Sequence, residues 1–145
     1  MTSNKNKFEV ESKLENVPAI LDFIAEKMEE DIASEATIAK VQLAVDEACT
    51  NIINYAYSGH GGLITIICEL VGDDFVVTIR DKGKPFDPRM VPPSDLESEW
   101  DKRKVGGLGI HLIRAVMDDV NYEFDAVKGN TLIMRKRFMR ENSKS

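Results

Sequence analysis

The chain has 145 residues, of which 43% are hydrophobic and 30% charged, and its formal net charge at pH 7 is −6. These values are typical of a globular domain with a sizeable core, and the negative charge argues against sequence-independent binding of nucleic acid, which requires clustered Lys and Arg. The first residues lack an apolar signal core, and no run reaches the roughly 18 apolar residues of a membrane span, so we expect a cytoplasmic protein.

The first part of the chain predicts one strand followed by two helices. Phe8 and Val10 alternate with acidic residues, which favours a half-buried strand. Apolar residues recur at helical spacing over residues 18–30 and again over 34–57, where the glycine-rich sequence SGHGG ends the second helix. We expect residues 1–6 to be frayed, because they are polar.

A predicted hairpin and a long loop follow. Residues 63–70 and 75–80 have the composition of strands and are separated by a short turn. Residues 81–105 are rich in Pro, Gly and charge and predict no regular structure. An irregular segment of this length inside a compact domain is more often functional than idle.

The last part of the chain predicts a helix and two more strands. Glycines lead into an apolar-periodic helix at about 108–119, and residues 121–127 and 131–138 have the pattern of a second strand pair. Because helices and strands are grouped in the order β-α-α-β-β-loop-α-β-β, we expect an α+β two-layer sandwich with the helices on one face of a mixed, mostly antiparallel sheet. We expect it to be a single domain over residues 1–145, with 140–145 frayed.

The sequence VDEACTNIINYAY places Glu47 and Asn51 one helical turn apart on one face of the second helix. The amide oxygen of an Asn is a hard ligand suited to Mg²⁺, and a carboxylate can orient an attacking oxygen or accept its proton. Together the two residues would suit phosphoryl chemistry. Taken alone, such a pair is more often part of a solvated helix face.

Two further motifs contain glycine. In IRDKGKPFDP, Asp81 ends a strand, and Gly83 allows a ligand to approach the backbone. The Asp81 carboxylate is a suitable acceptor for an exocyclic amino group such as that of adenine, although Asp-x-Gly is also common turn chemistry. In VGGLGIHLI, Gly107 and Gly109 precede a helix whose first amides and dipole favour phosphate oxygens.

The three motifs occur in one order, with a long loop between the last two, and this arrangement resembles the ATP-binding superfamily of gyrase, MutL and sensor histidine kinases. It is most similar to the small anti-sigma serine-protein kinases of the RsbW and SpoIIAB type. DEACTNIINYAY resembles that family's N box, RDKGKPFDP its first glycine box and GGLGIHLI its second. The similarity runs from about residue 8 to 138 and implies the Bergerat-type ATP-binding fold.

The resemblance implies a role for each matching position. Glu47 would be the acid/base or hydroxyl-orienting residue, and Asn51 would be the Mg²⁺ ligand. Asp81 would bind the amino group of adenine, with Gly83 allowing the base close to the strand. Thr131 would support Asp81 around the purine.

The resemblance also implies a phosphate site and a lid. The phosphates would be lined by Gly107, Leu108 and Gly109. Residues 88–105 would form a lid over the nucleotide, ordered by its phosphates. The sequence leaves open the roles in this lid of Trp100 and of the basic residues at 102–104. The chain departs from the family at one position, since Asn130 stands where the first threonine of a common Gly-Thr-Thr sequence is expected.

By this resemblance the cofactors are ATP or ADP with Mg²⁺, and two functions remain open. The first is an ATP-dependent serine/threonine kinase that phosphorylates a STAS-type anti-anti-sigma protein and thereby switches its binding partner. The alternative is a nucleotide-dependent module that sequesters a sigma-like factor without significant phosphotransfer. The presence of Glu47 favours the kinase, because binding alone requires no carboxylate there. No nucleic acid or membrane partner is expected, and the resemblance allows a homodimer.

Overall fold

The computed structural model describes residues 2–3, 6–30, 34–58, 60–85 and 109–137. The strands in these ranges are β1 (Thr2–Ser3), β2 (Lys7–Glu11), β3 (Leu63–Val71), β4 (Asp74–Asp81), β5 (Asp119–Asp125) and β6 (Gly129–Arg137). The α-helices are α1 (Val17–Glu30), α2 (Glu35–Asn51) and α3 (Gly109–Val116). A 3-10 turn (Leu14–Asn16) precedes α1, and a π-helical turn (Ile52–Ala56) continues α2.

The described strands form one sheet in the order β1-β2-β3-β4-β6-β5. The predicted hairpin is confirmed, since β3 pairs directly with β4. The sheet and the helices together confirm the expected α+β fold. Every neighbouring pair in the described ranges is antiparallel, which refines the expectation of a mixed, mostly antiparallel sheet.

One face of the sheet carries the core. Side chains alternate between the two faces of a strand, so that one face can be buried under the helices. The buried apolar residues on this face are Phe8, Val10, Ile64, Ile66, Cys68, Phe75, Val77, Ile79, Leu132 and Met134. α2 packs against both α1 and α3, and its stripe of Val41, Val45 and Ala48 is buried as predicted. Full burial of one such aliphatic side chain contributes about 1.5–3 kcal/mol.

The second helix changes its winding before its predicted end. Ser34 caps its start, because the Ser34 Oγ accepts a hydrogen bond from the Thr37 N–H at 3.1 Å. The helix is α-helical only as far as Asn51. Beyond that point the Tyr57 N–H bonds to the carbonyl of Ile52, five residues earlier, at 2.9 Å. π-helical turns that extend or interrupt α-helices are frequent at functional sites.

Two other segments differ from the prediction. Thr2 and Ser3, which the sequence predicts to be frayed, pair with β2 as a short outer strand. β5 begins at Asp119, two residues earlier than predicted, and α3 correspondingly ends at Val116. No helix in the described ranges is long and apolar enough to cross a membrane.

Candidate functional site

The face of α2 that carries Glu47 and Asn51 includes a buried polar atom without a partner among the described residues. Asn51 is 3% exposed, and its Oδ1 has no hydrogen-bond partner in the part of the chain that the structure describes. A buried acceptor in this state costs about 1–3 kcal/mol, which a cation bound to that oxygen would offset. Asn51 therefore fits the predicted role of a Mg²⁺ ligand. The described residues include no group of three or more His, Cys, Asp or Glu that could hold a metal ion.

Glu47 lies one helical turn before Asn51 and is partly buried. Burial raises the pKa of the Glu47 carboxyl above the ordinary value for a glutamate, and the negative charge of Asp46 raises it further. Both effects disfavour the ionised form. A carboxylate with a raised pKa is the stronger base once ionised, so Glu47 is suited to orient a hydroxyl group and to accept its proton.

The π-helical turn joins the end of α2 to the segment after β4. The carbonyl of Ala56 accepts a hydrogen bond from the Lys84 N–H at 2.7 Å. The Tyr57 hydroxyl donates to the Leu63 carbonyl at 2.7 Å and accepts from the Lys82 N–H at 2.8 Å. These contacts hold the Asp-x-Gly motif against the helix that carries the acid and the amide.

The close contact between the π-helical turn and the segment after β4 also requires a glycine at position 83. A Cβ at this position would lie 2.4 Å from the Ala56 carbonyl oxygen, closer than real Cβ atoms come. The sequence predicts that Gly83 allows a base to approach the strand. The structure adds that its missing side chain already allows the π-helical turn to approach.

Asp81, the last residue of β4, is a buried carboxyl with two donors on one oxygen. It is 5% exposed, and its Oδ1 accepts hydrogen bonds from the Gly83 N–H and from Asn130 Nδ2, each at 2.8 Å. Burial raises the pKa of Asp81, while the bonds from Asn130 and Gly83 oppose that rise because they stabilise the ionised form. Burial, the charge of Asp46 and the charge of Asp81 all raise the pKa of the Cys49 thiol.

Asn130 is held from both ends of its amide. The Tyr122 hydroxyl donates to Asn130 Oδ1 at 2.7 Å. Asn130 Nδ2 faces three acceptors, namely Asp81 Oδ1 and the carbonyls of Gly83 at 3.2 Å and Lys84 at 3.1 Å. Only the NH₂ group can donate, so the network allows one orientation of this amide.

The strand register places Thr131 away from the Asp81 carboxyl, contrary to the prediction that Thr131 supports this group. In the β4–β6 pairing Asn130 lies opposite Asp81, whereas Thr131 lies opposite Arg80. Successive side chains point to opposite faces of a strand. Thr131 therefore lies on the face away from the helices, where it lines a cavity of about 1110 Å³ together with Arg80 and Ile133. Asn130, and not Thr131, donates a hydrogen bond to the Asp81 carboxyl.

The predicted phosphate site is described only in part. α3 begins at Gly109, so its first amides and its dipole could face an anion there. α3 also packs against α2, which puts this helix start in the same layer as Asn51. The remaining predicted positions lie outside the described residues: Gly107, Leu108, the lid at 88–105 with Trp100, and the basic residues at 102–104.

Sequence reasoning missed Tyr57 and Tyr122 and named Asn130 only as a departure from the family's Gly-Thr-Thr sequence. A signal for Asn130 existed, because it precedes the core residues Leu132 and Met134 at the spacing of two that marks one face of a strand. The two tyrosines carried no comparable signal, since a Tyr at a helix end or in a strand is usually explained by packing.

The chain is similar to known proteins over most of its length. A family model described as histidine kinase-like ATPase domain matches residues 10–136. The chain is 36% identical over 108 residues to serine-protein kinase RsbW of Bacillus cereus, and 35% and 34% identical over the same length to two proteins of that name from Bacillus thuringiensis. Each match covers 72% of this chain and 66% of the relative, so the chain spans slightly less than two thirds of the length of these relatives.

Proposed function

We propose that this chain, which belongs to the histidine kinase-like ATPase domain family, is an ATP-dependent serine/threonine kinase that phosphorylates a STAS-type anti-anti-sigma protein and thereby switches its binding partner. Membership of the family implies ATP binding. The relatives named serine-protein kinase support both the activity and the type of residue modified. The proposal depends most on Asn51, whose buried Oδ1 has no partner among the described residues and lies one turn from Glu47.

Each site residue has a role in this proposal. Asn51 Oδ1 holds Mg²⁺, which when bound neutralises charge on the phosphates. Glu47 orients the hydroxyl of the substrate serine; because the transition state of phosphoryl transfer is loose, orientation contributes more than complete removal of the proton. Asp81 accepts a hydrogen bond from the amino group of adenine. By the resemblance to the family, Gly107, Leu108 and Gly109 would line the phosphates.

The surroundings of Glu47 support phosphotransfer over binding alone. Partial burial beside the like charge of Asp46 makes ionised Glu47 costly to keep at this position. A module that only sequesters a sigma-like factor has no need of a carboxylate in such unfavourable surroundings. Carboxyl groups with a perturbed pKa are more frequent at sites where they act on a substrate.

Transfer of label from ATP to a protein substrate tests the proposal. The chain is incubated with γ-labelled ATP, Mg²⁺ and each STAS protein of the same genome. We expect label on a serine of one STAS protein, loss of that label with Glu47→Ala, and its retention with Asp46→Asn as the matched control. A tight, nucleotide-dependent complex without label would support the sequestering module instead. Absence of any interaction with ATP or ADP at millimolar concentration would contradict both functions.

A further inference from the structure

The two oxygens of the Asp81 carboxyl have different surroundings. Oδ1 accepts hydrogen bonds from both the Gly83 N–H and Asn130 Nδ2. An sp² carboxylate oxygen has two lone pairs, so these two donors use the capacity of Oδ1. Among the described residues no hydrogen bond reaches Oδ2. In this arrangement Asp81 presents one available acceptor instead of two.

The donor from Asn130 is fixed in place. Rotation of the amide by half a turn would set its oxygen against the Asp81 carboxyl and against two carbonyl oxygens. It would also turn the NH₂ group towards the hydroxyl of Tyr122, which now donates to Asn130 Oδ1 at 2.7 Å. Asn130 is 2% exposed, so water does not readily replace these partners. Tyr122 thereby acts on Asp81 through Asn130.

Adenine and guanine differ in the number of donors that they bring to a carboxylate. The 6-amino group of adenine directs one of its two N–H donors along the edge that it shares with N1, and N1 itself is an acceptor. Guanine presents N1–H and the 2-amino group side by side, and this pair of donors is best matched by two free oxygens of one carboxylate. A base whose donor stays unpaired in a buried site is rejected strongly, because the desolvation of that donor is not compensated.

We propose that Tyr122 and Asn130 make the site selective for adenine over guanine by leaving Asp81 a single free acceptor. This inference rests on the proposed binding of a nucleotide base at Asp81. It adds the residues that decide which purine is bound. Asn130 and Tyr122 are positioning residues here, since they act through the carboxyl of Asp81.

Calorimetric titration with ADP and GDP in the presence of Mg²⁺ tests the inference through the ratio of Kd for GDP to Kd for ADP. The wild-type chain is expected to bind ADP more tightly. Asn130→Ala frees one lone pair of Asp81 Oδ1, and we expect the ratio to fall by about tenfold, the effect of one hydrogen bond. Tyr122→Phe is expected to lower the ratio by a smaller factor, because the amide remains but loses one of the contacts that fix its orientation.

The matched control is Glu123→Gln. Glu123 is exposed, follows Tyr122 on β5 and lies opposite Thr131, so its side chain belongs to the other face of the sheet. We expect this variant to keep the wild-type ratio.

The outcomes separate this inference from the proposed function. If the wild-type chain binds ADP and both variants, shown to be folded by circular dichroism, keep the wild-type ratio, the inference is overturned while nucleotide binding stands. An equal loss of affinity for ADP and GDP would indicate a purely structural role and would also overturn it. If Asn130→Ala does not fold, the ratio for Tyr122→Phe decides in the same way. Binding of neither nucleotide by the wild-type chain would contradict the proposed function itself.

Discussion

The two ends of the candidate site are both buried, yet they satisfy their polar atoms in opposite ways. Asp81 is 5% exposed and receives two donors on one oxygen. Asn51 is 3% exposed, and its Oδ1 has no partner among the described residues. The difference indicates that the described residues satisfy one carboxyl oxygen at the end proposed for the base, whereas they leave a buried acceptor without a partner at the end proposed for the metal.

The largest effect is expected for Glu47→Ala, which tests whether the α2 end serves catalysis. Turnover should fall by about 10²–10⁴-fold, the usual contribution of a positioned general base. Nucleotide affinity should stay close to the wild-type value, because Glu47 is proposed to contact the substrate hydroxyl and not the base. Radiometric kinase assays and calorimetry measure the two quantities. A parallel loss of binding and turnover would contradict this division between the two ends.

Asp81→Asn tests the end proposed for the base. The change keeps the shape but places an NH₂ group where a carboxylate oxygen would accept the adenine amino group, so two donors face each other. We expect ADP to bind about 10- to 100-fold more weakly, which corresponds to one charge-assisted hydrogen bond. Equal ADP affinity for the variant and the wild type in calorimetry would contradict the role given to Asp81.

A pair of variants compares the two ends through stability. Asn130→Ala should lower the free energy of unfolding by about 1–3 kcal/mol, because Asp81 loses a donor and the Tyr122 hydroxyl loses its acceptor. Asn51→Leu should leave that free energy within about 1 kcal/mol of wild type or raise it, since it replaces an amide whose oxygen has no partner among the described residues by an apolar group of similar size. Urea unfolding at equal m-values measures both. Equal losses in the two variants would show that the ends do not differ as described.

The smallest effect is a change in pH dependence. Burial and then the charge of Asp46 raise the pKa of Glu47, and the ionised carboxylate is the form that orients the hydroxyl. As the pH falls, turnover should therefore decline at a higher pH than an ordinary glutamate would give. Asp46→Asn removes the second cause, so the decline should move to lower pH. A pH profile of kcat that is identical for wild type and Asp46→Asn would contradict this account.

Much of this architecture followed from local patterns. The alternation of Phe8 and Val10 predicted β2, and the apolar stripe through Val41 and Val45 predicted the buried face of α2. These patterns are readable because the period of the side chains differs between strand and helix. The π-helical turn was not readable, since its residues continue the same apolar pattern as the helix and the changed hydrogen bonding is visible only in the fold.

The sequence by itself identified the candidate site residues: the acid and the amide on α2, and the Asp81 carboxyl at the end of β4. Only the tertiary structure decided which neighbour supports that carboxyl. Asn130 and Thr131 are adjacent and both polar, so the choice between them depends on the register of β6 against β4. A shift of that register by one residue would exchange the two faces. The register is set by long-range burial of Leu132 and Met134 against the helices, which no local segment specifies.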